Sequence, residues 1–222
     1  ALLPLLLRRS NISIMIIGDS TGEQQYRSLL CLFESFNMPL SLLLARNDDN
    51  SGFDEQVLPN QSIYIYYKWS RLVYMPGNDL EPDIKHVHSR HPNNTFFLLM
   101  THGAWYWGNQ KLIFDQFKTF TLWWSSNMPK DSYLLWRDVL PQHFPTSSGA
   151  YSTTLHLELS QNKYLTVNHS TCSPLPSVCP QLNIVKQVRD FVLPFGNVFI
   201  LPTFEIAAPE FYAHNIRPQD CT

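Results

Sequence analysis

The sequence predicts an α/β domain, a three-layer sandwich whose central sheet is mostly parallel. Three observations carry this expectation. Short apolar runs rich in β-branched and aromatic residues alternate along the chain with segments whose apolar residues recur at helical spacing. At 222 residues and 44% hydrophobic content the chain is large enough to bury a sheet on both faces. The first apolar run also passes through a glycine-bounded turn directly into a helix, the junction that parallel α/β units use.

Taken in order, Ile12–Ile17 is apolar apart from Ser13 and reads as a strand covered on both sides. It ends in Gly18-Asp-Ser-Thr-Gly22, and from Gln24 onward Tyr26, Leu29, Leu30, Phe33 and Phe36 trace a helical stripe that Pro39 closes. Asn47–Gly52 reads as a loop. Ile63–Tyr67, Phe96–Met100, Tyr133–Trp136 and Asn197–Leu201 are further strands. Leu112–Trp124 and Leu182–Leu193 are helices, the second with Leu182, Val185, Val188, Phe191 and Val192 on its apolar face. Asp79, Glu81 and Asp83 fall in a Pro-containing stretch read as a solvated loop, and the His86, His88, His91 run beyond it as surface loop rather than a metal site. Trp123-Trp124 is expected in the core. With neither repeat nor low-complexity linker, residues 1–222 read as one domain.

Composition limits the partners. A net charge of −2 carries no basic footprint for nucleic acid. Charged residues make up 15%, against roughly 25% in an average soluble chain, while aromatics reach 14%. That balance suits a neutral polar ligand such as a carbohydrate, and suits a large aromatic core equally. The apolar opening Ala1–Leu7 is too short for a bilayer, which needs about 20 residues, and no later segment spans one. Four sequons (Asn11-Ile-Ser, Asn60-Gln-Ser, Asn93-Asn-Thr and Asn168-His-Ser) and four cysteines (Cys31, Cys172, Cys179, Cys221) favour the secretory pathway, in the Golgi lumen or outside the cell. Cys172 and Cys179 bracket a turn-rich stretch that a disulfide can close, but four cysteines allow three full pairings.

The chemistry concentrates at Gly18–Ser20. A serine there stands at the carboxyl edge of a parallel strand, where open α/β sheets bind ligands, and the opening helix offers backbone N–H groups to an oxyanion. Equally, the glycines make the turn and Ser20 merely caps the helix. The run matches the Gly-x-Ser-x-Gly elbow of α/β-hydrolases. That elbow normally follows several strands, however, so this reading requires further strands upstream of Ala1. A nucleophile after the first strand is instead the arrangement of the SGNH, or GDSL-like, hydrolases.

Four blocks then resemble one family in its own order. Met15-Ile-Ile-Gly-Asp-Ser-Thr-Gly-Glu-Gln-Gln-Tyr-Arg-Ser-Leu-Leu-Cys-Leu-Phe33 is similar to the first block of the PC-esterase family, which includes the plant trichome-birefringence-like polysaccharide O-acetyltransferases. Tyr66-Tyr-Lys-Trp-Ser-Arg-Leu-Val73 resembles the second, and Trp136-Arg-Asp-Val-Leu-Pro-Gln-His-Phe144 the Arg…Pro-x-His-Phe segment. Gln219-Asp-Cys-Thr222 resembles the start of the Asp-Cys-x-His block.

The resemblance implies acyl-ester chemistry on carbohydrate: an acetyl donor, a glycan acceptor, no metal and no organic cofactor. Ser20 is the implied nucleophile and Asp220 the acid that orients a base histidine, expected one position past Thr222 in a longer natural chain. Ser20, Thr101 and Gly103 form the implied oxyanion site. Related enzymes place an Asn where this chain has Met100-Thr101, and losing one oxyanion donor costs on the order of a hundredfold or more. Trp105, Arg137 and His143 are candidate substrate-binding residues, with Tyr106 and Trp107 alongside as rings able to stack on sugar or to fill the core. His143 is also the in-chain substitute for the base. An esterase with the same site, and a glycan-binding protein of the same fold without catalysis, remain as alternatives.

Overall fold

The computed structural model describes residues 11–18, 20–35, 53–58, 63–70, 80–101, 110–138 and 180–203. Six strands form one sheet: β1 (Ile12–Gly18), β2 (Phe53–Leu58), β3 (Ile63–Trp69), β4 (Thr95–Thr101), β5 (Ser132–Arg137) and β6 (Val198–Leu201). Among the described residues four helices accompany it: α1 (Ser20–Ser35), α2 (Leu80–Arg90), α3 (Gln110–Asn127) and α4 (Pro180–Val192). The strand order is β2-β3-β1-β4-β5-β6. Five strands run parallel, and β2 closes one edge antiparallel to β3.

The sheet has a core on each face because β1 is buried along its whole length and its side chains alternate between the faces. Ile12, Ile14 and Ile16 join Ile63, Ile65 and Tyr67 of β3 beneath Tyr26 and Phe33 of α1. Met15 and Ile17 turn the other way, into a larger cluster with Phe96, Leu98, Met100, Leu134 and Trp136. That face is covered by Ile84 and Val87 of α2, Ile113, Phe117, Phe120 and Trp124 of α3, and Ile184 and Val188 of α4. The split follows from crossover handedness. The β1-to-β3 connection leaves β1 in one direction, whereas β3-to-β4, β4-to-β5 and β5-to-β6 all run in the other. Asn11, whose φ of 72° is tolerated by asparagine, turns the chain into β1.

The expected strands and helices are present, each within about four residues of its anticipated bounds, the largest difference being α1, which begins at Ser20 rather than Gln24; its anticipated close at Pro39 lies outside the described residues. Two elements correct the sequence reading. Leu80–Arg90 is a helix, not a solvated loop. Its buried stripe is only Leu80, Ile84 and Val87, set among charges and histidines, and Pro82 is accommodated because first-turn N–H groups have no intrahelical partner. Asp83 is accordingly half-buried and ion-paired with Lys68 of β3, so it ties the start of α2 to the sheet. His88 packs its ring edge on Phe96, and His91, just beyond the helix, stacks on Tyr64 with centroids 3.5 Å apart. Asp79 lies outside the described residues. The second correction is β2, whose Asp54, Glu55 and Gln56 concealed an edge strand that needs no apolar pattern on both faces.

Because both partners of the Lys68–Asp83 pair are largely shielded from water, its loss costs more than a surface ion pair. Asp83→Ala lowers unfolding free energy by about 1–3 kcal/mol, the cost of leaving the shielded Lys68 ammonium without its partner, measured as a shifted urea midpoint at unchanged slope. An unmoved midpoint refutes the anchoring role.

Candidate functional site

In a parallel sheet all carboxyl ends lie on one edge, and here they end on one row. Gly18 is in register with Trp69 on one side and Thr101 on the other, Thr101 with Arg137, and Arg137 with Leu201. Five strands at about 4.8 Å spacing make this row about 19 Å wide. The connection from β1 runs toward β3 and the connection from β4 runs the opposite way, toward β5, so the gap between β1 and β4 is the topological switch point, where open α/β sheets bind ligands. Gly18 and Thr101 flank that gap, and Ser20 opens α1 two residues beyond Gly18. The sixteen-residue α1 therefore directs its unsatisfied N-terminal N–H groups and its dipole toward the same edge.

The turn after β1 is braced from β3. The Gly18 carbonyl accepts the Ser70 N–H at 2.8 Å and the buried Tyr67 hydroxyl at 3.2 Å. Tyr67 in turn stacks on Tyr26 of α1, with centroids 5.2 Å apart and planes 19° from parallel. Within the helix, Glu23 pairs with Arg27 at 2.5 Å, on the exposed side of its first two turns. The segments that read as the first two sequence blocks thus touch each other where β1 borders β3, the strand on the side of β1 away from β4. Trp69, at the end of β3 beside Gly18, is 44% exposed, which is unusual for so large a ring. Trp69 belongs to the second block, but its exposure is a tertiary property that the sequence does not display.

The third block supplies the next-to-last position of the row, beside Leu201 of β6. Arg137 is buried at the tip of β5, and Asp138 beyond it is also buried. The Asp138 N–H donates to the Leu201 carbonyl at 3.1 Å, and its carbonyl accepts the Thr203 hydroxyl at 3.1 Å. Arg189 of α4 donates to its carboxylate at 2.7 Å. These contacts weld β5, β6 and α4 at the carboxyl edge. Nothing in the sequence singled out Asp138, because its partner lies 51 residues away.

Of the anticipated site residues, the backbones of Ser20 and Thr101 and the whole of Arg137 fall on this edge. Arg137 is two strands from Gly18, about 10 Å across the sheet. Gly103, Trp105, His143 and Asp220 lie outside the described residues, as do Cys172, Cys179, Cys221, Asn60 and Asn168. Cys31 is a free, exposed thiol on α1. Among the described residues no three His, Cys, Asp or Glu side chains are arranged to hold a metal ion, and no helix is long and apolar enough to cross a membrane. No family model matches the chain, and neither does any curated protein.

Proposed function

We propose that this chain is an SGNH-type acyltransferase that moves an acetyl group onto a glycan through a Ser20 ester. The single observation that supports it most is the position of Ser20, opening a helix at the switch point directly after the central strand. The four ordered blocks supply the chemistry. In this reading the Ser20 hydroxyl attacks the acetyl carbonyl and passes its proton to an imidazole oriented by Asp220. The oxyanion is held by backbone N–H groups of Ser20 and Gly103 and by the Thr101 hydroxyl. The donor's leaving group departs with the proton. A sugar hydroxyl then attacks the acyl carbon and loses its proton to the same imidazole, which returns it to the Ser20 oxygen as the ester bond to Ser20 breaks. Sequons, cysteines and low charge support a setting in the secretory pathway.

The test is intact-mass measurement of the full-length protein with an activated acetyl ester, a glycan being added in a second step. An adduct that leaves onto the glycan is the expected result. An adduct that clears into water whether or not glycan is present makes the protein an esterase. A folded protein that never forms an adduct, yet binds glycan, overturns the catalytic reading and leaves a binding module.

Trp69 gives this reading an acceptor contact. An exposed indole next to Gly18 offers a flat apolar face to a sugar ring at little cost in conformational entropy. Trp69→Ala raises the KM for the glycan acceptor about tenfold, equivalent to about 1.4 kcal/mol, with a smaller change in kcat. A KM for the acceptor that does not move removes Trp69 from the binding surface.

A further inference from the structure

We propose that Asn93 is an N-glycosylation site, on the pole of the domain opposite the candidate active site. Asn93 begins the sequon Asn93-Asn94-Thr95 and is exposed in the turn that joins α2 to β4. The turn is fastened by its neighbours rather than by Asn93 itself. The His91 N–H donates to the His88 carbonyl at 3.2 Å and the Asn94 N–H to the His91 carbonyl at 3.0 Å. The buried Asn94 side chain donates to the Ser13 hydroxyl at 3.1 Å, and the Thr95 N–H donates to the Asn11 carbonyl at 3.0 Å. An attached sugar at Asn93 therefore displaces none of the contacts that hold β1 against β4.

The second sequon within the described residues, Asn11-Ile12-Ser13, is interlocked with the first and behaves oppositely. Asn11 is exposed, but Ser13 is 1% exposed inside β1 and its hydroxyl already accepts from Asn94. A transferase must engage the sequon hydroxyl together with the amide. Once β1 has paired, Asn11 is closed to it, whereas Asn93 is exposed in its turn and Thr95, at the first position of β4, is only half-buried.

The position also decides what the glycan leaves free. Thr95 is in register with Ile12 at the amino edge, and Gly18 with Thr101 at the carboxyl edge. The seven residues of β1 separate the two edges by about 20 Å, so the attachment point lies away from Gly18, Trp69 and Thr101. In the modification the Asn93 amide nitrogen attacks C1 of the first sugar of a lipid-diphosphate-linked oligosaccharide. The N–C1 bond forms, the C1–O bond to the diphosphate breaks, and the amide proton leaves to a base of the transferase.

The inference rests on the secretory setting but not on the acyl chemistry, and one preparation separates them. The full-length protein is secreted from a eukaryotic host, its glycans are released enzymatically in heavy-oxygen water, and the peptides are mapped. Position 93 is expected to carry the heavy aspartate mark of a former glycan. Asn93→Gln and Thr95→Ala should each lose one glycan's mass, and Asn11→Gln should keep that glycan. Secreted protein whose Asn93 peptide is unmodified overturns the proposal, whatever the other sequons carry. The acetyl-adduct experiment reads Ser20 on the same material and can fail or succeed on its own.

Discussion

Ser20→Ala abolishes the acetyl adduct and lowers turnover of an activated acetyl ester by on the order of a thousandfold or more, while leaving the domain folded. The two halves of this expectation have separate physical origins. An alanine has no oxygen to form the ester, so what persists is the background that an oxyanion site and binding alone provide. Stability is barely touched because alanine is the strongest helix former and Ser20 stands in the opening turn of α1. Even a full loss of capping costs only about 1 kcal/mol. A serine elsewhere on the same helix is the control. Ser28 is exposed on α1, and Ser28→Ala retains both adduct and turnover. Equal adduct in Ser20→Ala and the parent would falsify the nucleophile assignment, and the turn at Gly18 would then be structural only.

What the sequence disclosed follows from the range of the interactions involved. β1 was legible because a strand buried on both faces must be apolar at nearly every position, and Ile12–Ile17 is. α1 and α4 were legible because long apolar stripes repeat at helical period. By contrast α2 shows three buried residues in eleven, and its Asp83 reads as a solvated charge until Lys68 is brought to it across the sheet. β2 is an edge strand, and its pairing with β3 is set by backbone hydrogen bonds that any side chain permits. The site divides in the same way. Gly18 and Ser20 announce themselves through a local turn, Arg137 through the block around it, and Thr101 through the position at which related enzymes place an Asn. The register row that aligns these positions is non-local, as are the brace from Tyr67 and Ser70 to the Gly18 carbonyl and the weld at Asp138. No pattern in a single chain segment encodes an exposed Trp69 either, since apolar strand ends are ordinarily covered.

Trp124→Ala is the variant in which stability, not chemistry, takes the loss. Trp124 is fully buried on α3, its ring stacked near Phe96 of β4 with centroids 6.1 Å apart and tilted against Phe120 at 6.2 Å. Truncating so large a buried ring removes its transfer free energy and leaves a cavity that a close-packed core fills only in part, about 3–5 kcal/mol in all. For a chain of this size that is a fall of about 6–20 °C in Tm. Leu122→Ala, one turn-face away and 47% exposed, stays within about 0.5 kcal/mol. The consequence for the site is indirect. α3 is the crossover between β4 and β5, the strands that bring Thr101 and Arg137 into register. Trp124→Ala therefore keeps its acetyl adduct well below the lowered Tm and loses it as the sheet opens, whereas Ser20→Ala lacks the adduct at every temperature. Following both variants by thermal melt and by adduct mass across the same temperatures separates a residue that reacts from one that holds the reacting edge together. A Trp124→Ala protein with parental Tm would show that the larger of the two cores is not where the stability of this sheet resides.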